Sequence, residues 1–526
     1  MRIIIRSIIT GLFFAVFIIV VIALSISFVY EDEVSEIFLE EVNKRFKSDL
    51  QTEEVNLSLL KKFPNATVVL SNTKLTDQDT NRDTSLFIST KNLFLQFDVI
   101  DLFNKDYSID HIHAEDCEVR YYLSEKQEIT RKDSSDSGFE LDINELKISN
   151  LRYVIENKKT GLKLQGFSDE TILKGNFSSR EFFLDIESQS KIHILKANNF
   201  RYLYNKAISI DSDIKVTPEF YKIRQGRFIL EEIPIKIEGE LDRRKKHIDL
   251  SCTGKKLSIS RLKLNIPWKL KEQIENLTIS SGRIDLFAKV KGQVDETQPS
   301  IEADMKLRKG SFEFEVNNKV KLTNFEASVY YTNGIYNQPK SSSFTFNNIE
   351  ANYKNSKIKG NLTVKNFREP ELKAKLNLNF RLVDIEQYID SLGIKSPKGT
   401  VVSTLNLTSP LNKMNNFKSL IKKKKLTGDF TLDRVRFNTG NLSVENMNGF
   451  AYLNRDLYLD SMRVRFNNND LVLDGQIFNI YRNLSDSTQP FRFQGALYSK
   501  HIDLKRFFQQ PAAASDSLIH FSFPDK

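Results

Sequence analysis

The chain is poor in the residues that build catalytic and metal chemistry. Its 526 residues include 2 Cys, 6 His, 5 Met, 1 Trp and 12 Pro. Cys117 and Cys252 stand far apart, with no CxxC or Cys/His spacing around either. No disulfide framework or zinc site is visible; two buried strand thiols are the simplest reading, and a single disulfide in an oxidising compartment is the alternative. No G-x-S-x-G, Walker A or H-E-x-x-H pattern occurs, so the expectation is a protein that is not an enzyme and carries no cofactor. His111 and His113 flank Ile112 and could share one side of a strand as metal ligands. No neighbouring carboxylate or Cys completes a set, and the other histidines are isolated. No metal site is expected.

Charge of one sign is lacking as well. The formal net charge is +9 on 77 basic and 68 acidic residues, and spread over this length it does not argue for nucleic acid. Two basic runs, Arg243 to Lys246 and Lys422 to Lys425, read first as solvated hairpins or loops and second as contacts for anionic lipid headgroups.

What the chain does have is 39 Phe and 17 Tyr, in a folded, strand-rich composition. It also has one long apolar run. From Ser7 to Tyr30 there is no charged side chain. As a helix rising about 1.5 Å per residue, this stretch is long enough to cross a hydrocarbon core of about 30 Å. A cleaved signal peptide is the alternative, but the apolar core exceeds a usual h-region and no clear A-x-A site follows. Arg2 and Arg6 precede the run and Glu31, Asp32, Glu33 and Glu36 follow it. A single-pass anchor is expected, with the N-terminus cytoplasmic and residues 31–526 exported.

Residues 31–50 then carry Val34, Ile37, Phe38, Val42, Phe46 and Leu50 at helical spacing, predicting an amphipathic collar helix. Phe38, Val42 and Phe46 are its candidate gate residues. Strand signals begin after Pro64, at 66–75, 93–102 and 108–123. Residues 124–140, with a Ser/Gly cluster, read as a flexible loop.

From Leu141 onward the period is two. The clearest run is Leu372, Ala374, Leu376, Leu378, Phe380 and Leu382, alternating with Lys373, Lys375, Asn377, Asn379 and Arg381. Such alternation gives one apolar and one wet face, as in antiparallel sheet. A motif of apolar, polar, Gly, polar or small, apolar recurs at Gly175, Gly239, Gly292, Gly360, Gly428, Gly475 and Gly495. By parity each Gly sits on the apolar face, as a gap in the wall or a bend. Val383-Asp384-Ile385 with Tyr388-Ile389 is matched by Ile502-Asp503-Leu504 with Phe507-Phe508. Each reads as a strand end, an Asp able to cap, and a short helix.

The predicted organisation is an anchor over 1–30, a collar helix and N-terminal β unit over 31–123, a loop over 124–140 and a β body over 141–392. A second β module follows over 393–510, then a linker and the start of a further strand over 511–526. Periodicity alone leaves two ways to cover the apolar face: packed sandwiches, or a sheet curled into a trough lined for acyl chains.

The order of features resembles the AsmA family of bacterial envelope proteins, relatives of TamB and of chorein-type bridge-like lipid transporters. The N-terminal resemblance runs through Leu57-Ser-Leu-Leu-Lys-Lys-Phe-Pro64, Val68-Val-Leu-Ser-Asn72, Leu86-Phe-Ile-Ser89, Leu93-Phe-Leu-Gln-Phe-Asp-Val99 and Ile109-Asp-His-Ile-His113. Later come Val444-Glu-Asn-Met-Asn-Gly449, Leu471-Val-Leu-Asp-Gly475 and Tyr498-Ser-Lys-His-Ile-Asp-Leu504. The lysine run at 422–425 has no counterpart in that pattern.

The resemblance implies a bacterial inner-membrane anchor and a curled, mainly β periplasmic groove with an apolar interior. Such a groove would carry phospholipid toward the outer membrane, with an outer-membrane or periplasmic partner at its far end and no catalytic residues. The expected lining is Ile237, Leu241, Ile284, Leu286, Val290, Ile301, Met305, Leu307, Phe312, Phe314, Leu372, Leu376, Leu378, Phe380, Leu471 and Leu473. The competing expectation is a structural or assembly factor that binds envelope proteins through sheet edges.

Overall fold

The structure, a computed structural model, describes residues 50–503 apart from 59–64, 80–83, 99–110, 124–143, 159–160, 177–180, 198–199, 266–276, 294–298, 317, 336–337, 391–392, 414–416, 440–441, 467–468, 479–491 and 501. The expected anchor, the collar helix with Phe38, Val42 and Phe46, and the C-terminal linker lie outside the described residues. Leu50, assigned above to the collar stripe, is a strand residue and pairs with Leu75. A single apolar side chain fits helical and strand spacing equally well, so periodicity misplaced it.

The fold is mainly β and its strands are almost all antiparallel, as the alternation predicts. The chain divides into two compact units, Met1–Glu275 with Ile284–Glu302, and Asn276–Arg283 with Ala303–Lys526. The first contains β1 (Leu50–Gln51), β2 (Glu54–Ser58), β3 (Asn65–Asp79), β4 (Thr84–Asp98), β5 (His111–Glu115), β6 (Glu118–Leu123) and β7 (Glu145–Asn157). It continues with β8 (Leu162–Lys174), β9 (Phe182–Ala197), β10 (Phe200–Val216), β11 (Phe220–Leu230), β12 (Ile233–Asp242) and β13 (His247–Ser258). The division falls inside β14 (Leu277–Gln293) and β15 (Ser300–Val316). The second unit holds β16 (Asn318–Thr332), β17 (Ser343–Tyr353), β18 (Ser356–Lys365), β19 (Glu371–Arg381) and β20 (Ile394–Pro410). Its later strands are β21 (Leu426–Thr439), β22 (Leu442–Asn454), β23 (Asp456–Phe466), β24 (Asn469–Phe478) and β25 (Arg492–Tyr498).

One step in the first unit breaks the antiparallel rule. β5 and β6 pair antiparallel with β4 but parallel with β7, with His111 opposite Glu145 and Leu123 opposite Asn157. Leu123 and Glu145 therefore lie at opposite ends of that pair. Asp116, at φ 52°, breaks the strand between β5 and β6. It accepts a hydrogen bond from Asn150 Nδ2 at 3.0 Å.

Cross-strand register turns the sequence alternation into apolar rows. In the first unit Ile155, Leu164, Leu195 and Leu203 lie abreast on β7 to β10 and are all buried. A second row, Leu146, Leu173, Ile186, Ser212, Gly226, Ile237 and Cys252, crosses from β7 to β13. Each fully buried Leu or Ile contributes about 2 kcal/mol of transfer free energy. The one described helix of this unit, Ile259–Leu264, buries no residue.

The glycine motif has a packing reason that parity alone did not supply. A Cβ on Gly360 would fall 3.0 Å from Leu376 Cδ2 and 2.2 Å from the Lys375 carbonyl oxygen, and one on Gly428 would fall 2.6 Å from Leu405 Cδ2. The gap expected at each of these glycines is filled by a neighbour's side chain. Gly360 also holds φ +153°, which side-chain-bearing residues avoid.

The polar residue beside the glycine has a second use. Asn361 Oδ1 accepts the Asn348 N–H at 2.9 Å, Asn448 Oδ1 accepts the Arg434 N–H at 2.7 Å, and Asp474 Oδ1 accepts the Ser461 N–H. Asn348, Arg434 and Ser461 all have positive φ at breaks in strand register. The x-Gly-x element thus seats a neighbour's side chain and satisfies a neighbour's bulge.

The Asp of the repeated strand-to-helix element does not cap, which corrects the sequence reading. A 3-10 turn, Leu382–Ile385, and a helical turn, Glu386–Ile389, follow β19, and neither has a side-chain cap. Buried Asp384 instead accepts from Ser356 Oγ at 2.8 Å and from the Asn355 N–H at 3.1 Å, in the β17–β18 turn. The second copy is tethered to the equivalent hairpin with the polarity reversed, because buried Asn469 accepts the Asp503 N–H at 2.7 Å. A third instance is present. The helix at Ile259–Leu264 follows β13, and its Arg261 is ion-paired to Glu232 in the β11–β12 turn. There Ser258 stands where the other copies have Asp, which hid the repeat.

Cys117 and Cys252 are free and buried, and burial pushes both thiols up to about 12. Neither should react with iodoacetamide at about pH 8 in the folded chain, and both should react in denaturant. Mass-resolved alkylation checks this. Gly360→Val should cost about 2–4 kcal/mol in a denaturant melt, because backbone strain and a clash with the Lys375 carbonyl act together. Asn361→Ala, which removes only the bulge acceptor, should cost about 1 kcal/mol.

Candidate functional site, a half-buried apolar face

Cross-strand rows continue in the second unit, with a different degree of cover. Ile349, Gly360, Leu376, Leu405, Gly428 and Leu453 lie abreast on β17 to β22. The next row is Ala351, Ile358, Leu378, Ser403, Phe430 and Ala451. A third holds Phe380, Val401, Leu432 and Gly449 on β19 to β22. Along β19 the same face passes from buried at Leu372 and Ala374 to half-buried at Leu376, Leu378 and Phe380. Ile358, Val401, Leu405, Phe430 and Leu432 are half-buried too.

The Leu376–Leu405 pair shows how the floor is shaped. Leu376 Cδ2 reaches over Gly360 on one side and Leu405 Cδ2 over Gly428 on the other. Each leucine thus leans away from its partner, over the glycine beyond it.

Part of this face is packed. Val444, Ala451, Met462 and Val464 form a buried cluster, joined by Phe430, Leu432, Phe437, Met447, Leu457, Leu459, Phe466 and Leu473. Near the β20–β21 connection, Ile421 of the helix Phe417–Lys422 packs with Leu453 against Leu426, Phe430 and Leu457.

The sixteen expected lining residues separate by burial. Ile237, Val290, Ile301, Leu372 and Leu471 are buried in the protein's own packing. Leu241, Ile284, Leu286, Met305, Leu307, Phe312, Phe314, Leu376, Leu378, Phe380 and Leu473 are half-buried. Register brings Leu376, Leu378 and Phe380 together with Val401, Leu405 and Leu432. Val401, Leu405 and Leu432 were missed because β20 and β21 alternate less strictly, with Ser403 and Gly428 on the apolar face. Their signal was the Gly428 motif itself.

His113 Nε2 lies 3.0 Å from Ser149 Oγ, and its ring stacks on Phe94 at 5.5 Å, while His111 is exposed. Among the described residues no group of three or more His, Cys, Asp or Glu is placed to hold a metal ion. Arg243 to Lys246 form the β12–β13 hairpin turn, where Arg244 pairs with Glu219 at 2.7 Å and Lys245 with Asp242 at 3.6 Å. Among the described residues no helix is long and apolar enough to cross a membrane, and Ser7–Tyr30 lies outside them.

Comparison with protein-family models, with curated proteins and with solved structures finds no match to this chain.

Proposed function

We propose that this protein is a membrane-anchored lipid-transfer protein, without enzymatic activity, whose β-sheet face carries phospholipid through the bacterial periplasm between inner and outer membrane. The observation that carries the reading is the half-buried row of Leu376, Leu378 and Phe380 beside Val401, Leu405 and Leu432. Large contiguous apolar surface marks a place where something binds, and an apolar face of this kind suits flexible acyl chains. The anchor at 7–30 and the resemblance to AsmA proteins support the location. Movement is passive along the face, since no nucleotide-binding motif is present. The collar helix is proposed to set the entrance, with Phe38, Val42 and Phe46 as its gate.

A second reading has an observation of its own. On β25, Phe493, Leu497 and Tyr498 are exposed, and the described pairing of this strand is to β24. An assembly factor adding a client strand there would use such an edge.

Photo-crosslinkers at Leu376 and Phe380 should capture phospholipid in cells; capture of protein alone would favour the assembly reading. Leu376→Asp should block lipid binding while lowering stability by no more than about 1–2 kcal/mol, because its carboxylate stays hydrated. Leu372→Asp, in the same strand but buried, should cost several kcal/mol and unfold the unit. Thermal melts together with lipid quantification separate the two outcomes.

A further inference from the structure

The lysine run that stands outside the family pattern lies where a helix meets the half-buried face. β20 ends at Pro410 and β21 starts at Leu426, and the helix Phe417–Lys422 lies between them. Leu420 and Ile421 are buried, Ile421 within the cluster of Leu426, Phe430, Leu453 and Leu457. The helix stops at once: the Lys424 N–H donates to the Ile421 carbonyl at 2.9 Å and the Lys425 N–H to the Leu420 carbonyl at 2.7 Å. Lys422, Lys423 and Lys424 are therefore exposed within one turn of buried apolar residues.

Register adds a further cation. Thr427 pairs with Asn454, so the exposed Arg455 of the β22–β23 turn comes beside the start of β21. Asp456, the acid of that turn, accepts from Gln476 Nε2 at 3.1 Å. Among the described residues neither Lys423 nor Lys424 makes an ion pair. A solvated turn would need only polarity. Here the cations are fixed to the rim of an apolar face by an anchored helix, the arrangement that matches an amphiphile with a negative head.

We propose that Lys423, Lys424 and Arg455 bind the anionic headgroup of a lipid whose acyl chains lie on the Leu376–Leu405 face. The inference rests on the lipid-transfer reading and adds the headgroup class: the site selects anionic over zwitterionic phospholipid.

The test uses the full chain in detergent, equilibrated with equal amounts of dioleoyl phosphatidylglycerol and dioleoyl phosphatidylcholine, then repurified. Bound lipid is quantified by mass spectrometry for the wild type and for K423Q/K424Q. Both positions are exposed, so the variant should keep the wild-type melting temperature. The wild type should carry about fivefold more phosphatidylglycerol than phosphatidylcholine, a preference of the size one or two surface cations supply. The variant should carry the same total lipid at a ratio near one. Equal amounts of the two lipids on the wild type, an unchanged preference in the variant, or an equal loss of both lipids from it would each overturn the proposal. A wild type that carries neither lipid would overturn the lipid-transfer reading itself, and this site with it.

Discussion

The constraint on which this structure depends is the parity of the extended chain. Successive side chains point to opposite faces, so an alternating sequence makes a sheet with one apolar and one hydrated face. Strand after strand repeats that pattern here, and antiparallel register aligns it into rows that run across the sheet. Everything else in the fold answers the question of what becomes of the apolar face. In the first unit rows such as Ile155, Leu164, Leu195 and Leu203 are removed from water, while Leu241, Ile284 and Leu286 stay half-buried. In the second unit the same chemistry is left half-covered along β18 to β21.

Irregularities in the sheet do regular work. Bulges at Asn348, Arg434 and Ser461 turn the strand and free a backbone N–H, and an Asn or Asp beside a glycine on the following strand accepts it. The glycine leaves room for a leucine, an aromatic ring or a methionine from next door. Hairpin turns are tied to the segment that follows the next strand through Asp384, Asn469 or Arg261. Long sheets with few helices have little else to fix their ends, and these polar tethers supply it.

Much of this was legible beforehand, for a physical reason. Period-two alternation is a local property, so the strands, the apolar parity of Leu372 to Phe380 and the glycine positions could be read from neighbours in sequence. The role of Asp384 could not, because its partners Asn355 and Ser356 are brought near by a strand pairing that local pattern does not encode. The third strand-to-helix copy was hidden for the same reason: Ser258 lacks the carboxylate that marked the others. The parallel pairing of β5 and β6 with β7 is likewise a matter of chain path, and alternation reads the same in either direction.

The sequence by itself determined the fold class, the thiol burial and the apolar parity of the strictly alternating strands, because each follows from residue type and local pattern. Only the tertiary structure decided which of those side chains are core and which are surface. Leu372 and Leu376 are the same residue type on the same face of one strand, four positions apart, and one is buried while the other is half open. In register Leu372 stands between Val364 and Ser409, and Leu376 between Gly360 and Leu405. Cover is a property of neighbours distant in the chain, and no local pattern records it.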